Sequence, residues 1–201
     1  MRSEPRAQAA SARECEALRR FAGANEHSVL PRLAATGDDE HGPWWLQTVA
    51  PGHSLAALMA RGPIPPPLLA AMCRRALLAL AELHGDRAQP VHGDLTPEHV
   101  FITPDPPAVT FIDLGMARWK GQAGHPGERG TLPYLAPEVA SGAPPDQAAD
   151  AFALLAVFAH AVLGRAPVAA THAADRLTEI AECGLDLAAQ AERLLVDQEE
   201  V

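Results

Sequence analysis

From Leu68 to His84 apolar side chains return at three- and four-residue steps, at Leu69, Met72, Ala76, Leu80 and Leu83. That spacing predicts a long helix with one buried face. A second helical pattern, "SARECEALRRFA" from 11 to 22, puts Cys15, Leu18 and Ala22 on one side and ends at Gly23. A third, from Asp146 to Leu163, is apolar nearly all round, which predicts a helix buried on every side. Alternating and β-branched runs fall elsewhere. "SVLPRLAATG" and "PWWLQTV" flank the turn-rich "GDDEHGP" and predict a hairpin, and "VFIT" and "AVTFID" flank "PDPP" and predict another. Between them Ser54 can cap a short helix, and "PIPPP" from 63 to 67 is a stiff connector. Residues 114 to 145 are rich in Gly and Pro without periodicity, so an extended loop is expected there. From Thr171 onward one or two amphipathic helices with an acidic surface are expected.

At 201 residues the chain is long enough for one domain with its own core. Its 16 basic and 25 acidic residues leave a net charge of -9. Two thirds of the excess lies after residue 174, where eight acids face only Arg176 and Arg193. Without a basic stripe to neutralise phosphates, nucleic-acid binding is not expected. Cys15, Cys73 and Cys183 are far apart and in no metal-ligand spacing, which predicts reduced thiols in a cytoplasmic protein. The first 20 residues lack the apolar stretch of a secretory signal, and "AFALLAVFAHAVL" is too short to span a bilayer, so no membrane partner is expected.

Three acidic residues fall at the ends of predicted elements and carry the candidate chemistry. Asp94 sits in "VHGDLTPEHVFIT" between the long helix and the second hairpin, Asp113 ends that hairpin, and Glu138 lies in "APE". Taken singly, an Asp before a Thr-Pro turn caps that turn more often than it does chemistry. Taken together, the segments change that weighting. "VHGDLTPEHVFI", "FIDLGMAR", "GTLPYLAPEV" and "DAFALLAV" resemble, in order and spacing, the catalytic loop, the metal-binding segment, the end of the activation segment and the buried central helix of the protein kinase family.

The resemblance implies an α+β, protein kinase-like fold, with residues 1–50 as a remnant N-lobe of one helix and a short β-hairpin plus the hinge, and 51–201 as a mainly helical C-lobe. It implies ATP as cofactor with Mg²⁺, or Mn²⁺ in its place, and a protein substrate or binding partner. Asp94 takes the place of the catalytic base, and Asp113 of a metal ligand. His99 falls where the family has a metal-binding asparagine, and imidazole suits Mn or Zn better than Mg²⁺. "WWLQTVAPGHSLAAL" is similar to the last N-lobe strand and hinge, which makes Gln47 the gatekeeper and gives Thr48 and Ala50 the backbone contacts to adenine. Glu14 matches the ion-pairing glutamate of the N-lobe helix, His92 is expected to brace the loop, and Asp150 to anchor its backbone.

Departures from the pattern open the functional question. The 13 residues before Glu14 contain neither GxGxxG nor lysine, so the first three N-lobe strands are expected to be absent from this chain. The only lysine is Lys120, whereas serine/threonine kinases carry one two residues after the catalytic aspartate, where Thr96 stands. Gly93 replaces the arginine that reads activation-loop phosphate in many kinases, and residues 113 to 130 hold no Ser, Thr or Tyr. Glu138 lacks the family's usual arginine, so either another partner such as Arg193 or a solvated carboxylate is expected. Three readings follow: a serine/threonine protein kinase-like phosphotransferase; a catalytically inactive pseudokinase acting as an interaction module; and a small-molecule kinase, since "HGDLT" is also similar to aminoglycoside phosphotransferases, although "GTLPYLAPEV" speaks against it.

Overall fold

In the computed structural model, residues 5–21, 29–40, 42–104, 107–120 and 130–167 are described. The expected C-terminal helices, Cys183 and Arg193 lie outside them.

Helix α1 spans Pro5–Phe21 and buries Ala17 and Leu18. It begins six residues before the expected Ser11, because the Ala-rich "RAQAA" favours helix and Pro5 is tolerated in the first turn. Arg19 and Arg20 in the last turn face the negative end of the helix dipole. Strands β1 (Leu33–Asp39) and β2 (Gly42–Gln47) form the first expected hairpin, antiparallel, with Thr36 opposite Trp45 and Gly37 opposite Trp44. The Trp44 indole lies across Gly37, where a β-carbon would come within 2.4 Å of the ring. Glycine is what lets the two strands close there.

The second sheet has three strands rather than the expected two. β3 (His53–Ser54) pairs with β4 (Val100–Pro104), which pairs with β5 (Pro107–Phe111). Val100 and Ile102 alternate inward and meet Val109 and Phe111 in the core. Helix α2 (Leu55–Met59) follows β3 directly, and Ser54 caps it by accepting a hydrogen bond from the Ala57 amide at 3.1 Å. The long helix α3 (Pro66–His84) points Leu69, Ala76, Leu80 and Leu83 into the core as the spacing predicts, packing against β5 and the last helix.

Within 114–145, where an extended loop is expected, the chain makes one 3₁₀ turn at Leu132–Tyr134 and a short helix α4 (Pro137–Ala140). Leu135, Ala136, Val139 and Ala140 bury there against Ala149 as a small second core. A run this short shows no period in the sequence, so only its packing reveals it. Helix α5 (Gln147–Leu163) is capped by Asp146, whose Oδ1 accepts the Ala149 amide at 2.9 Å, and stops at Gly164 with a φ of 67°. Its expected burial on every side is corrected among the described residues: Leu154, Ala156 and Val157 are fully buried, but Leu155 and Val162 remain 42% and 43% exposed.

Candidate active site

Residues 91–99 cross between α3 and β4 as irregular backbone, and irregular backbone needs partners for its amides. Asp150, one turn into α5 and 2% exposed, supplies them. Its Oδ2 accepts the His92 amide at 2.7 Å and its Oδ1 the Gly93 amide at 2.8 Å, while His84 Nε2 lies 3.0 Å from Oδ2. His92 is fully buried. Its Nε2 donates to the Ile112 carbonyl at 3.0 Å and its Nδ1 receives the Asp94 amide at 3.3 Å, an arrangement that fits a neutral ring. Burial pushes the His92 pKa below 6.5, against the opposing pull of Asp150. The expected bracing role of His92 is thus a pair of hydrogen bonds that tie residue 94 to residue 112.

Gly93 has a φ of 79°, and a β-carbon there would lie 2.8 Å from the Met116 carbonyl oxygen. The missing arginine therefore has a local cause: this backbone turns through the left-handed region against the turn at Gly115 and Met116. Gly130 makes the same kind of close approach, with a β-carbon position 2.6 Å from the Gly93 carbonyl oxygen.

Around this loop the fold brings Asp94, His99 and Asp113 together. Asp94 Oδ1 accepts a 2.6 Å hydrogen bond from the Thr131 hydroxyl, so the candidate base already holds an aliphatic alcohol. His99 Nδ1 lies 2.7 Å from the Asp94 carbonyl oxygen, and its Nε2 stands 3.5 Å from Asp113 Oδ2. Asp113 has a φ of 63°, a left-handed conformation that asparagine and aspartate tolerate better than other side chains. Its Oδ1 accepts the Gly115 amide at 3.1 Å, which leaves Oδ2 turned toward His99. One carboxylate oxygen and one imidazole nitrogen thus converge, a donor pair chemically suited to a divalent cation. Among the described residues no third His, Cys, Asp or Glu completes a cluster with them, so further ligands would have to come from water or from phosphate oxygens.

Helix α1 closes the site from the opposite side. The Arg13 guanidinium, in a residue only 6% exposed, donates to the Gly115 carbonyl at 2.9 Å and ties the helix to the Asp113 turn. Glu14 comes next to Asp113 and His99 and takes a hydrogen bond from Gln47. Burial first, and then the Asp113 charge, push the Glu14 carboxyl above 4.5, because no lysine offsets them. Lys120 is on another face, lining a cavity of about 510 Å³ with Gln89, Trp119 and Asp146.

Thr48 and Ala50 follow β2 outside any helix or strand. The Thr48 amide is spent on the Arg32 carbonyl at 2.9 Å, and its hydroxyl accepts the Arg32 amide at 2.9 Å. Its carbonyl, and both backbone groups of Ala50, make no hydrogen bond among the described residues. Thr96, at the position of the second missing lysine, is only 4% exposed and its hydroxyl has no partner among the described residues. Glu138 is exposed. Sequence reasoning missed Thr131 as a partner of Asp94, Arg13, and Tyr134 with His160. The Tyr134 hydroxyl lies 2.8 Å from His160 Nδ1, and burial, then the Glu98 charge, pushes that phenol up to about 12. Thr131 and Tyr134 carried a signal in the sequence, their place in the "GTLPYLAPEV" match.

Comparison with known proteins gives a consistent picture. A family model described as the protein kinase domain matches residues 2–198. The probable serine/threonine-protein kinase PkwA of Thermomonospora curvata is 35% identical over 162 residues, 78% of this chain and 20% of that protein. The serine/threonine-protein kinase pkn2 of Myxococcus xanthus is 28% identical over 80% of this chain and 20% of its own length, and PknL of Mycobacterium tuberculosis 30% identical over 65% and 33%. The chain spans between a fifth and a third of the length of these relatives. Among the described residues no helix is long and apolar enough to cross a membrane.

Proposed function

Because the chain belongs to the protein kinase domain family, we propose that it binds ATP with a divalent cation and transfers the γ-phosphoryl group to a hydroxyl of a protein. In this reading residues 1–50 form the smaller lobe and hinge and 51–201 the larger lobe. The observation that carries it is the 2.6 Å hydrogen bond between the Thr131 hydroxyl and Asp94 Oδ1, beside the convergent Asp113 and His99. A carboxylate that accepts a hydrogen bond from one threonine hydroxyl is placed to accept one from a substrate hydroxyl in the same position and then to take its proton. Asp94 therefore serves as base and orienter of the acceptor. Its backbone is held by Asp150 and His92, so the carboxylate is aimed before substrate arrives.

Asp113 and His99 hold the cation, Mg²⁺ or Mn²⁺, which supplies charge neutralisation on the phosphates. The unbonded Thr48 carbonyl and the Ala50 amide and carbonyl take the adenine edge. Titration of ADP and ATP against the purified chain with Mg²⁺ or Mn²⁺ tests the site, and Asp113→Asn should abolish binding. Absence of binding with either cation refutes the reading. With binding established, phosphotransfer to a generic basic protein should disappear in Asp94→Asn.

A second reading, a nucleotide-binding pseudokinase, is favoured by one observation. Glu14 faces Asp113, and the sole lysine, Lys120, lines a cavity on another face, so no lysine places a positive charge on the phosphates from that side. Removing a single transition-state contact costs about 10²–10³ in rate. Nucleotide binding without phosphotransfer in the same assay identifies this second reading.

A further inference from the structure

We propose that His99 Nε2 is itself a metal ligand, and that it makes the Asp113 site select a divalent transition cation of the Mn²⁺ or Zn²⁺ class over Mg²⁺. This rests on the nucleotide-cation reading above for the site's role, but not for its test. The hydrogen bonds fix the ring. His99 Nδ1 lies 2.7 Å from the Asp94 carbonyl oxygen, and a carbonyl cannot donate, so Nδ1 carries the proton. Nε2 is then the nitrogen that can offer a lone pair to a metal, and it stands 3.5 Å from Asp113 Oδ2. The other carboxylate oxygen is taken by the Gly115 amide at 3.1 Å. At 3.5 Å, Nε2 and Oδ2 lie beyond the usual hydrogen-bond range of about 2.7–3.2 Å, and both can turn to one cation. An Nδ1–H held by a backbone carbonyl with Nε2 free is also the usual support of a metal-bound histidine.

Donor chemistry discriminates among cations. Adjacent ligands at about 2.1 Å stand about 3 Å apart on an octahedral cation, Mg²⁺ and Mn²⁺ alike, and about 3.4 Å apart on tetrahedral Zn²⁺, so spacing does not separate Mn²⁺ from Mg²⁺. Mg²⁺ prefers oxygen and keeps its water. Nitrogen therefore biases the site toward cations that accept imidazole. Glu14, close enough to act on both Asp113 and His99, adds negative charge that favours any cation and does not select among them.

The test is titration with MnCl₂ and MgCl₂, with and without ADP, followed by pulsed electron paramagnetic resonance of the Mn²⁺ sample. We expect nitrogen coupling to Mn²⁺, converted to the ¹⁵N pattern in protein grown on ¹⁵N-histidine, and Mn²⁺ binding at least about tenfold tighter than Mg²⁺. His99→Asn should remove the coupling and weaken Mn²⁺ by about 10- to 100-fold, the range for disturbing a metal's supporting residues. Asp113→Asn, which keeps the His99 bond to Asp94, should weaken Mn²⁺ as well and covers the case in which His99→Asn misfolds. Bound Mn²⁺ without nitrogen coupling, or coupling unchanged in His99→Asn, overturns the inference; so does equal affinity for the two cations, or no Mn²⁺ binding. ADP binding without nitrogen coupling sinks this inference alone, while nitrogen coupling without ADP binding sinks only the nucleotide reading.

Discussion

Asp150→Ala removes the acceptor on which the loop's backbone depends. His92 is fully buried, and its amide loses a 2.7 Å partner; the Gly93 amide loses one at 2.8 Å, and His84 loses one at 3.0 Å. Each buried donor left without an acceptor costs about 1–3 kcal/mol. Because Asp150 is itself 2% exposed, water cannot readily replace it, and the whole substitution is expected to cost about 3–5 kcal/mol. For a chain of this size each kcal/mol lowers the melting temperature by about 2–4 °C, so a fall of about 6–20 °C is expected in a calorimetric scan. Asp150→Asn retains one accepting oxygen and turns an amide donor toward the others, so it should fall between wild type and alanine. Asp146→Ala is the control on the same helix. It removes one N-cap bond, worth about 1 kcal/mol, and should shift the transition by about 2–4 °C. If Asp150→Ala melted within 2 °C of wild type, or no lower than Asp146→Ala, the idea that this carboxylate holds the loop would be refuted.

Gly93→Arg, which restores the family's more common residue, should destabilise by about 1–3 kcal/mol because the φ of 79° and the Met116 carbonyl both oppose a β-carbon; a urea midpoint equal to wild type would contradict this. Arg13→Ala should lose about 1.5–3 kcal/mol with its bond to Gly115 and raise the ADP dissociation constant through the loosened Asp113 turn, and an unchanged stability by urea melt would count against it. The buried His92 stays neutral while the unfolded chain takes up a proton below 6.5; stability from this group is therefore present above pH 6.5 and declines as pH falls below it. His160, also lowered by burial, acts in the same sense, so His92→Gln should reduce the slope of unfolding free energy between pH 7.5 and 5.5 without abolishing it. Glu14 has the opposite sign: its carboxyl is raised above 4.5, so stability declines as pH climbs from 4.5 through the raised value, and Glu14→Gln should flatten that limb of the pH profile.

Long elements were legible in the chain because their burial is periodic. The stripe from Leu69 to Leu83 named α3 and its buried face, and the alternation through Val100 and Ile102 named β4. Elements shorter than a period were not. β3 is two residues long and exists because Gly52, with a φ of 85°, brings the chain against the Ile102 carbonyl; α4 is one turn held by the small core around Val139. The apolar surround of α5 misled for a related reason, since composition counts apolar faces and does not say which of them a neighbour covers.

What the sequence by itself determined is the order of the segments and the identity of the acids within them: Asp94, Asp113 and Asp150 lie in segments that resemble those of the protein kinase family, and the family-model match bears that resemblance out. What only the tertiary structure decided is which atoms face one another. That Asp150 accepts two loop amides, that Thr131 reaches back 37 residues to Asp94, and that His99 turns its Nε2 toward Asp113 are consequences of packing α3 against the second sheet and α5 against α3 and the 3₁₀ turn. A sequence carries donors and acceptors without directions, and hydrogen bonds and metal sites depend on direction and on tenths of an ångström. Gly93 marks the boundary: as a letter it is a lost arginine, and as backbone at a φ of 79° beside Met116 it is the residue the loop requires.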